Sequence, residues 1–315
     1  MKLKTEIKLP TQPFEISHRD KIISFGSCFS ENIGEKLSQH KFDTIVNPFG
    51  ILFNPISVAR AINECLENKQ YSESDLNNNN EVYFSFNHHS KFSGMNKAEV
   101  VHKINSAIAS ANHFMAASNT LILTFGTAWV YRLKETNEVV ANCYKLPNEL
   151  FTKELLSIQE IVAEVSQVMD LLKSKNPEVK IITTISPVRH WKDGVVENQQ
   201  SKASLHLALK EINETFHNSV YFPSYEILLD ELRDYRFYAA DMLHPSPVAI
   251  DYIWEKFGDT FFSKETKVLN QRIGQINKEK NHRPFNPESN EFMAFKNQLA
   301  QKEKELYLEF PFLKK

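Results

Sequence analysis

The stretch KIISFGSCFSENIGEKL, residues 21–37, predicts a strand, a tight turn and a helix in immediate succession. Residues 21–25 (KIISF) include Ile22, Ile23 and Phe25, and such β-branched and aromatic residues favour a strand. Gly26 permits a tight turn. Ser30 can cap a helix whose apolar face carries Ile33 and Leu37. This order of elements is typical of the first unit of an α/β protein.

The same alternation of strand and helix continues to residue 262. Further strands are predicted at residues 42–46, 120–125, 179–185 and 220–222. Further helices are predicted from Asn54 to Leu66, from Leu155 to Leu172, and at residues 98–118, 201–218 and 247–262. The strand at 179–185 (VKIITTI) is apolar on both faces, as strands are when helices cover both sides of a sheet. We therefore predict a doubly wound parallel sheet in three layers, α/β/α, in which the strands before Gly26, Gly126 and Ser186 are neighbours.

Two parts of the chain depart from this alternation. Residues 82–86 predict an edge strand or hairpin arm, and residues 130–133 and 139–144, joined by KETNE, predict a hairpin. From residue 263 the composition shifts to Lys, Glu, Gln and Asn with apolar residues at helical spacing. We therefore divide the chain into an α/β domain at residues 1–262 and a helical C-terminal extension at residues 263–315.

Composition excludes several classes of protein. The chain has 315 residues with 37 Lys and Arg against 39 Asp and Glu, and this balance gives no electrostatic footprint for duplex nucleic acid. Its three cysteines are widely spaced and odd in number, which excludes a disulfide scaffold. No apolar run is long enough to span a membrane, and residues 1–10 do not resemble a signal peptide. A cytoplasmic protein that contacts neither nucleic acid nor membrane is expected.

The turn after the first strand contains two candidate nucleophiles, Ser27 and Cys28. A helix N-terminus exposes free N–H groups and favours negative charge, so it lowers the pKa of a thiol and supplies oxyanion donors. The structural alternative is a capping turn with a small buried cysteine.

A candidate base comes late in the chain, in the segment AADMLHPSP. Asp241 stands three residues before His244 and can hold its imidazole in one tautomer, which leaves the other nitrogen free as a general base. The alternative is that Asp241 caps a turn and His244 is an ordinary surface residue.

Taken together, these segments resemble a known family. FGSCFSENIG, residues 25–34, is similar to the motif that names the GSCFA domain family, part of the SGNH (GDSL-like) hydrolase superfamily. SPVRHWKDGVVENQQSKASL, residues 186–205, resembles a second stretch of that family, and the late DxxHP resembles the superfamily's Asp/His block. The resemblance spans residues 25–262. It implies a flavodoxin-like α/β/α fold, a nucleophile after the first strand, and the Asp and His near the end of the domain.

The sequence also departs from the superfamily pattern. Laid over Gly-Asp-Ser-Leu, the nucleophilic serine position falls on Cys28, with Ser27 in place of the Asp. The Gly-x-Asn-Asp block, whose Asn donates to the oxyanion, corresponds to residues 126–129 (GTAW), where the amide is missing. Gly50 matches the oxyanion glycine, and Asn54 or Thr127 can substitute for the missing side chain.

Several other residues are candidates for contact with a substrate or a metal. The pair His88 and His89 is compatible with a polar turn, the rim of an active site or a metal site, although adjacent side chains of an extended segment point to different sides. Arg189 offers bidentate donors for a carboxylate or phosphate, with a salt bridge to Asp193 or Glu197 as the structural alternative. The other candidates are His190, Lys192, Lys202, Trp129, Tyr131 and Trp191. The three aromatic residues suit stacking on a sugar ring, although packing in the core or at a rim is the commoner role of such side chains.

These observations favour an acyl-transfer enzyme, an esterase or O-acyltransferase, with Cys28 or Ser27 as nucleophile, His244 as base and Asp241 orienting the base. The expected partner is a small molecule such as an acylated carbohydrate or an anionic ester, and neither a cofactor nor a resident metal is expected. One alternative is a binding or scaffold protein that keeps the pocket without turnover. Another is a metal-dependent hydrolase with ligands drawn from His88, His89, His190, Asp241 and His244.

Overall fold

The structure is a computed structural model that describes residues 5–314. Residues 1–4, part of the segment judged not to resemble a signal peptide, lie outside the described residues. The strands are β1 (Lys21–Gly26), β2 (Asp43–Val46), β3 (Asn77–Asn79), β4 (Val82–Phe84), β5 (Thr120–Phe125), β6 (Trp129–Leu133), β7 (Val139–Val140), β8 (Phe151–Leu155), β9 (Lys180–Ile185) and β10 (Ser219–Phe222). The helices are α1 (Cys28–Gln39), α2 (Pro55–Leu66), α3 (Lys97–Met115), α4 (Ile158–Lys175), α5 (Val195–Thr215), α6 (Ser224–Glu226), α7 (Pro247–Phe261), α8 (Lys264–Lys280) and α9 (Asn290–Glu309).

The central sheet contains five parallel strands in the order β10-β9-β5-β1-β2. Numbered along the chain, this is the order 2-1-3-4-5 seen in flavodoxin-like folds. The strands before Gly26, Gly126 and Ser186 are neighbours, as predicted. Their carboxyl ends lie at one edge of the sheet, where open α/β proteins bind ligands.

Helices cover both faces of this sheet. One face carries Ile23, Leu121 and Ile181 and packs against helices α2 to α5. The other carries Ile22 and Ile122 together with residues of α1 and α7. Neighbouring residues of one strand thus enter different cores, because side chains alternate along a strand. The three-layer α/β/α architecture predicted from the sequence is confirmed.

Two smaller antiparallel sheets were only partly predicted. β3 pairs with β4 as a hairpin, and β6 pairs with both β7 and β8. The expectation that Leu155 opens a long helix is wrong, because Leu155 pairs with Trp129 in β8 and α4 begins at Ile158 after the Ser157 cap. The helix predicted from residue 201 begins at Val195, following Gly194 in a left-handed conformation (φ 108°).

The C-terminal extension is helical, as predicted, with α8 and α9 packed around their own apolar cluster. The buried members of this cluster are Leu269, Ile273, Ile276, Leu306 and Leu313. Polar contacts attach the two helices to the α/β domain, including Asn277 Nδ2 to the Gln39 carbonyl (2.7 Å) and Lys41 Nζ to the Tyr307 hydroxyl (2.7 Å). Within residues 5–314, none of the helices combines the length and the apolar character needed to cross a membrane.

Candidate active site

The turn after β1 holds Ser27 and Cys28 at the carboxyl edge of the sheet. Gly26 has a φ of 143°, and a side chain on it would clash with the carbonyl oxygen of Thr124 on the adjacent strand. The N–H of Ser27 donates to the same carbonyl (3.1 Å), and Cys28 is the first residue of α1. Only glycine fits this close approach to the adjacent strand. Gly26 therefore sets the direction in which the next two side chains leave the turn.

Ser27 and Cys28 have different surroundings. The Ser27 side chain is 1% exposed, and its hydroxyl has no hydrogen-bond partner among the described residues. Cys28 is half-buried and lines a cavity of about 730 Å³. Burial raises the pKa of the Cys28 thiol; the Phe29 N–H lowers it, Glu31 raises it and Lys202 lowers it. The thiol facing the cavity therefore needs a base to form a thiolate at neutral pH.

His244 lines the same cavity and is held by Asp241. The His244 Nδ1 lies 2.6 Å from Asp241 Oδ2, while the other carboxylate oxygen accepts the N–H groups of Leu243 (2.9 Å) and His244 (3.0 Å). These three hydrogen bonds lower the pKa of Asp241 to about 2. Because an ionised carboxylate only accepts, Nδ1 carries a proton, and in the neutral imidazole Nε2 is then the acceptor. In the described part of the chain, no hydrogen bond joins His244 to Cys28 or to Ser27.

Two of the predicted oxyanion donors are already engaged. The Gly50 N–H donates to the Asn47 carbonyl (2.7 Å). The N–H of Thr127 donates to the Phe53 carbonyl (3.0 Å), and its hydroxyl accepts from the Trp129 N–H and contacts Ser201. Gly50 and Thr127 therefore support the loops around the cavity in this structure.

Asn54 retains a free donor. Its Oδ1 caps α2 by accepting the Ser57 N–H (2.8 Å), and this bond orients the amide. The side chain is 5% exposed and lines the cavity, and its Nδ2 has no hydrogen-bond partner within residues 5–314. Asn54 thus supplies an amide donor beside the cavity that holds Cys28, which residues 126–129 lack.

Arg189 and His190 lie on the cavity wall after β9. The Arg189 Nε is buried and makes no hydrogen bond within the described residues, and Asp193, one of its expected partners, pairs with Lys153 (2.6 Å). His190 packs edge-on against Phe53 (5.2 Å between centroids), and burial lowers its pKa to about 4. The wall therefore presents one unpaired guanidinium beside a neutral imidazole.

Lys202 lies beneath the cavity and is 2% exposed. Its Nζ donates to the carbonyl oxygens of Gly126 and Ser186, both at 2.7 Å. The expectation that Lys202 contacts substrate directly does not fit this position, because the side chain enters the core from the inner face of α5.

The family of the chain follows from its sequence. The GSCFA family matches residues 21–257, a range that includes the Cys28 turn, Lys202 and the Asp241–His244 pair. The chain belongs to the GSCFA family. The C-terminal domain of GSCFA domain proteins matches residues 273–314.

Solved structures resemble this GSCFA chain more distantly. An acetyl xylan esterase from the rumen bacterium Butyrivibrio proteoclasticus has a TM-score of 0.40 and 9% identity, over 80% of this chain and 64% of that chain. A carbohydrate esterase family 3 protein from Talaromyces cellulolyticus has a TM-score of 0.37 and 10% identity, over 80% of this chain and 99% of that chain. No curated protein matches the GSCFA chain in sequence.

The two adjacent histidines of the GSCFA chain have separate environments. His88 is fully buried and stacks on Phe49 (4.3 Å between centroids), and burial lowers its pKa to about 3. His89 lines the cavity, and its Nδ1 accepts the Lys91 N–H (3.2 Å). The described residues hold no group of three or more His, Cys, Asp or Glu side chains placed to bind a metal ion. The metal-hydrolase alternative therefore has no ligand set in this part of the GSCFA chain.

Part of the cavity wall was missed from the sequence. Cys143 and its neighbours after β7 line the cavity together with Trp129, Tyr131 and Trp191. All three aromatic residues lie on the cavity wall. Local sequence carries no signal for Cys143, because the β6–β7–β8 sheet must first fold over the edge of the main sheet.

Proposed function

We propose that this GSCFA chain is an acyl-transfer enzyme, an esterase or O-acyltransferase, that uses Cys28 as its nucleophile. One observation carries the proposal: Cys28, at the N-terminus of α1, shares a cavity with His244, whose Nδ1 is held by Asp241 (2.6 Å). A nucleophile, a base and a residue that orients the base are the three parts that covalent acyl transfer requires. Cys28 is preferred to Ser27 because the serine hydroxyl is buried.

The proposed reaction has two steps. His244 Nε2 takes the thiol proton, Cys28 Sγ attacks the acyl carbonyl, and the oxyanion accepts hydrogen bonds from the Cys28 N–H and from Asn54 Nδ2. The ester C–O bond then breaks, a thioester forms, and His244 returns its proton to the leaving alkoxide. Water or a sugar hydroxyl attacks the thioester, and its proton passes through His244 to the departing sulfur. Atoms and charge balance, and Cys28 is regenerated.

The cavity wall supports a substrate class. Arg189 has no ion pair within residues 5–314, and a guanidinium beside a cavity suits a carboxylate or phosphate. Trp129, Tyr131 and Trp191 provide aromatic surface for a sugar ring. We therefore propose a small acyl ester that carries an anionic group or a carbohydrate.

A second candidate is a binding protein without turnover. It is favoured by two observations: His244 makes no hydrogen bond to Cys28 among the described residues, and burial raises the pKa of the thiol. Such a protein would gain thermal stability with an anionic or sugar ester and release no product.

Ester hydrolysis by point variants tests the proposal. With neutral and carboxylate-bearing acetyl esters, Cys28→Ala and His244→Ala should each lower kcat/KM at least about a thousandfold, since the nucleophile and the base act as one unit. Ser27→Ala should retain most of the activity. Cys143→Ala is the matched control, because it removes another thiol from the same cavity.

Two results would count against the enzyme proposed here. Loss of activity in Ser27→Ala with retention in Cys28→Ala would make the serine the nucleophile. Ligand-dependent stabilisation of the wild-type protein without any hydrolysis or acyl transfer would favour the binding protein.

A further inference from the structure

Lys202 lies at the junction of the three strands that build the site. Its Nζ donates to Gly126, which follows β5, and to Ser186, which follows β9, both at 2.7 Å. The ring of Tyr225 lies 5.3 Å from the ammonium. β5 is the neighbour of β1, whose end carries Cys28. Lys202, which is only 2% exposed, is thus held at the carboxyl edge of the sheet, below the cavity.

This buried ammonium has no carboxylate partner among the described residues. Its hydrogen bonds go to neutral carbonyls, and no Asp or Glu oxygen lies within ion-pair distance. A buried charge that lacks a partner is strongly destabilising, so buried lysines are usually paired. The thiol of Cys28 is in register with the carbonyl that Lys202 contacts: Gly26 pairs with Thr124, so Cys28 and Gly126 each lie two residues beyond the same paired position on neighbouring strands.

We propose that Lys202 is a positioning residue that stabilises the Cys28 thiolate from beneath the cavity, a role that rests on the proposed use of Cys28 as nucleophile. His244 removes the proton of the thiol, and the thiolate that forms favours the charged form of Lys202. The thiolate then supplies the negative charge that Lys202 lacks. Because the region is buried, this attraction is weakly screened.

The other charged groups around Lys202 and Cys28 do not neutralise the buried ammonium as the thiolate does. Glu31 on α1 raises the pKa of Cys28, and Arg189 lowers the pKa of Lys202. Burial lowers the pKa of His190 and of His206, and the charge of Lys202 lowers both further. Burial lowers the pKa of Lys202 itself to about 7, while a thiolate at Cys28 raises it. The two charges therefore stabilise each other.

The thiol titration of Cys28 tests this role without any substrate. The rate of iodoacetamide alkylation at Cys28 is followed from pH 5 to 10, with peptide mass spectrometry to separate Cys28 from Cys65 and Cys143. Lys202→Gln keeps two N–H donors for the carbonyls and removes the charge. We expect its apparent Cys28 pKa to rise and its alkylation at pH 7 to fall about three- to tenfold.

Lys192→Gln is the matched control, because it removes an exposed lysine from the wall of the same cavity. We expect its Cys28 titration to equal that of the wild type. A folded Lys202→Gln protein with a wild-type Cys28 pKa would overturn the proposal, and so would an equal shift in Lys192→Gln.

A second measurement covers the case in which Lys202→Gln fails to fold. In protein labelled at lysine Cε, NMR reports the pKa of Lys202 directly in the wild type and in Cys28→Ala. We expect a lower Lys202 pKa in Cys28→Ala, because the thiolate is gone, and an identical pKa would overturn the proposal. Neither measurement needs turnover, so the pairing and the enzymatic function can fail separately.

Discussion

At the residue scale, Asn54 has a structural role and, in the proposed reaction, a chemical role in the same amide. Its Oδ1 caps α2 through the Ser57 N–H (2.8 Å), and its Nδ2, beside the cavity, has no hydrogen-bond partner among the described residues. In the proposed reaction, the missing amide at residues 126–129 is thus replaced from the start of a different helix. The cap holds the donor in place, so orienting it needs no further contact.

Asn54→Asp separates these two roles. Aspartate also caps a helix, so the free energy of unfolding should change by less than about 1 kcal/mol. The oxyanion donor is lost, so kcat for ester hydrolysis should fall about a hundred- to a thousandfold. Steady-state kinetics and urea unfolding measure the two effects. Wild-type kcat in Asn54→Asp would remove the amide from the proposed oxyanion hole.

Arg189→Ala tests whether Arg189 binds an anionic group of the substrate. The guanidinium has no ion pair to lose within the described residues, so stability should change little. Transition-state binding of a carboxylate-bearing ester should weaken by about 1.5–3 kcal/mol, the range for a hydrogen bond to a charged group. A neutral ester of the same acyl group is the control and should be unaffected. Equal kinetics with both esters in a folded variant would return Arg189 to a structural role.

At the element scale, the turn between β1 and α1 is the most constrained connection of the site. The Gly26 N–H donates to Asn47 Oδ1 (2.9 Å) and its carbonyl accepts the Leu52 N–H (2.9 Å). The same turn therefore holds the loop after β2, which leads to Asn54. Gly26 at the end of strand β1 therefore positions both the proposed nucleophile and the proposed oxyanion donor.

Gly26→Ala should destabilise the protein by about 3 kcal/mol or more. The φ of 143° is unfavourable for alanine, and the new methyl group would clash with the Thr124 carbonyl. Gly274→Ala in α8 is the matched control, since the nearest atom to its new methyl is His40 Nε2 at 3.7 Å. Helix propensity predicts that this control stabilises the chain by up to about 1 kcal/mol. Urea unfolding of both variants provides the comparison, and similar midpoints would show that the turn tolerates a side chain.

At the scale of the whole molecule, buried neutral histidines make stability depend on pH. His88 stacks on Phe49 in the core, and burial lowers its pKa to about 3 from an ordinary value near 6.5. Between these two values the unfolded chain binds a proton at this residue and the folded chain does not. Stability is therefore lost as pH falls from about 6.5 towards 3.

This loss of stability at low pH predicts how His88→Phe should behave. Between pH 6.5 and pH 5 the wild type should lose about 1.7 kcal/mol of unfolding free energy through His88, because the slope rises from about half of 1.4 kcal/mol per pH unit at pH 6.5 to nearly the full value at pH 5. His88→Phe keeps a ring against Phe49 and should lose correspondingly less over this interval. His102→Phe, on an exposed position of α3, is the control and should follow the wild type. Parallel pH profiles of the wild type and His88→Phe would contradict the prediction.

The sequence by itself determined the features that depend on short-range interactions and on the periodic spacing of apolar residues. Apolar strands alternating with helices predicted the parallel sheet, and the crossovers made the strands before Gly26, Gly126 and Ser186 neighbours. The i, i+3 spacing of Asp241 and His244 predicted their pairing, which the structure shows at 2.6 Å. Each of these features is encoded within one element or one connection, so local physical chemistry is enough to predict it.

Only the tertiary structure decided which side chains reach the cavity. Leu155 was expected in a helix, yet it lies in a strand because it pairs with Trp129, which is distant in sequence. The burial of Ser27, the exposure of Cys28 to the cavity and the burial of Lys202 likewise depend on how α1 and α5 pack on the sheet. These outcomes follow from contacts between residues distant in sequence, and packing of that kind overrides the local preferences that a sequence pattern records.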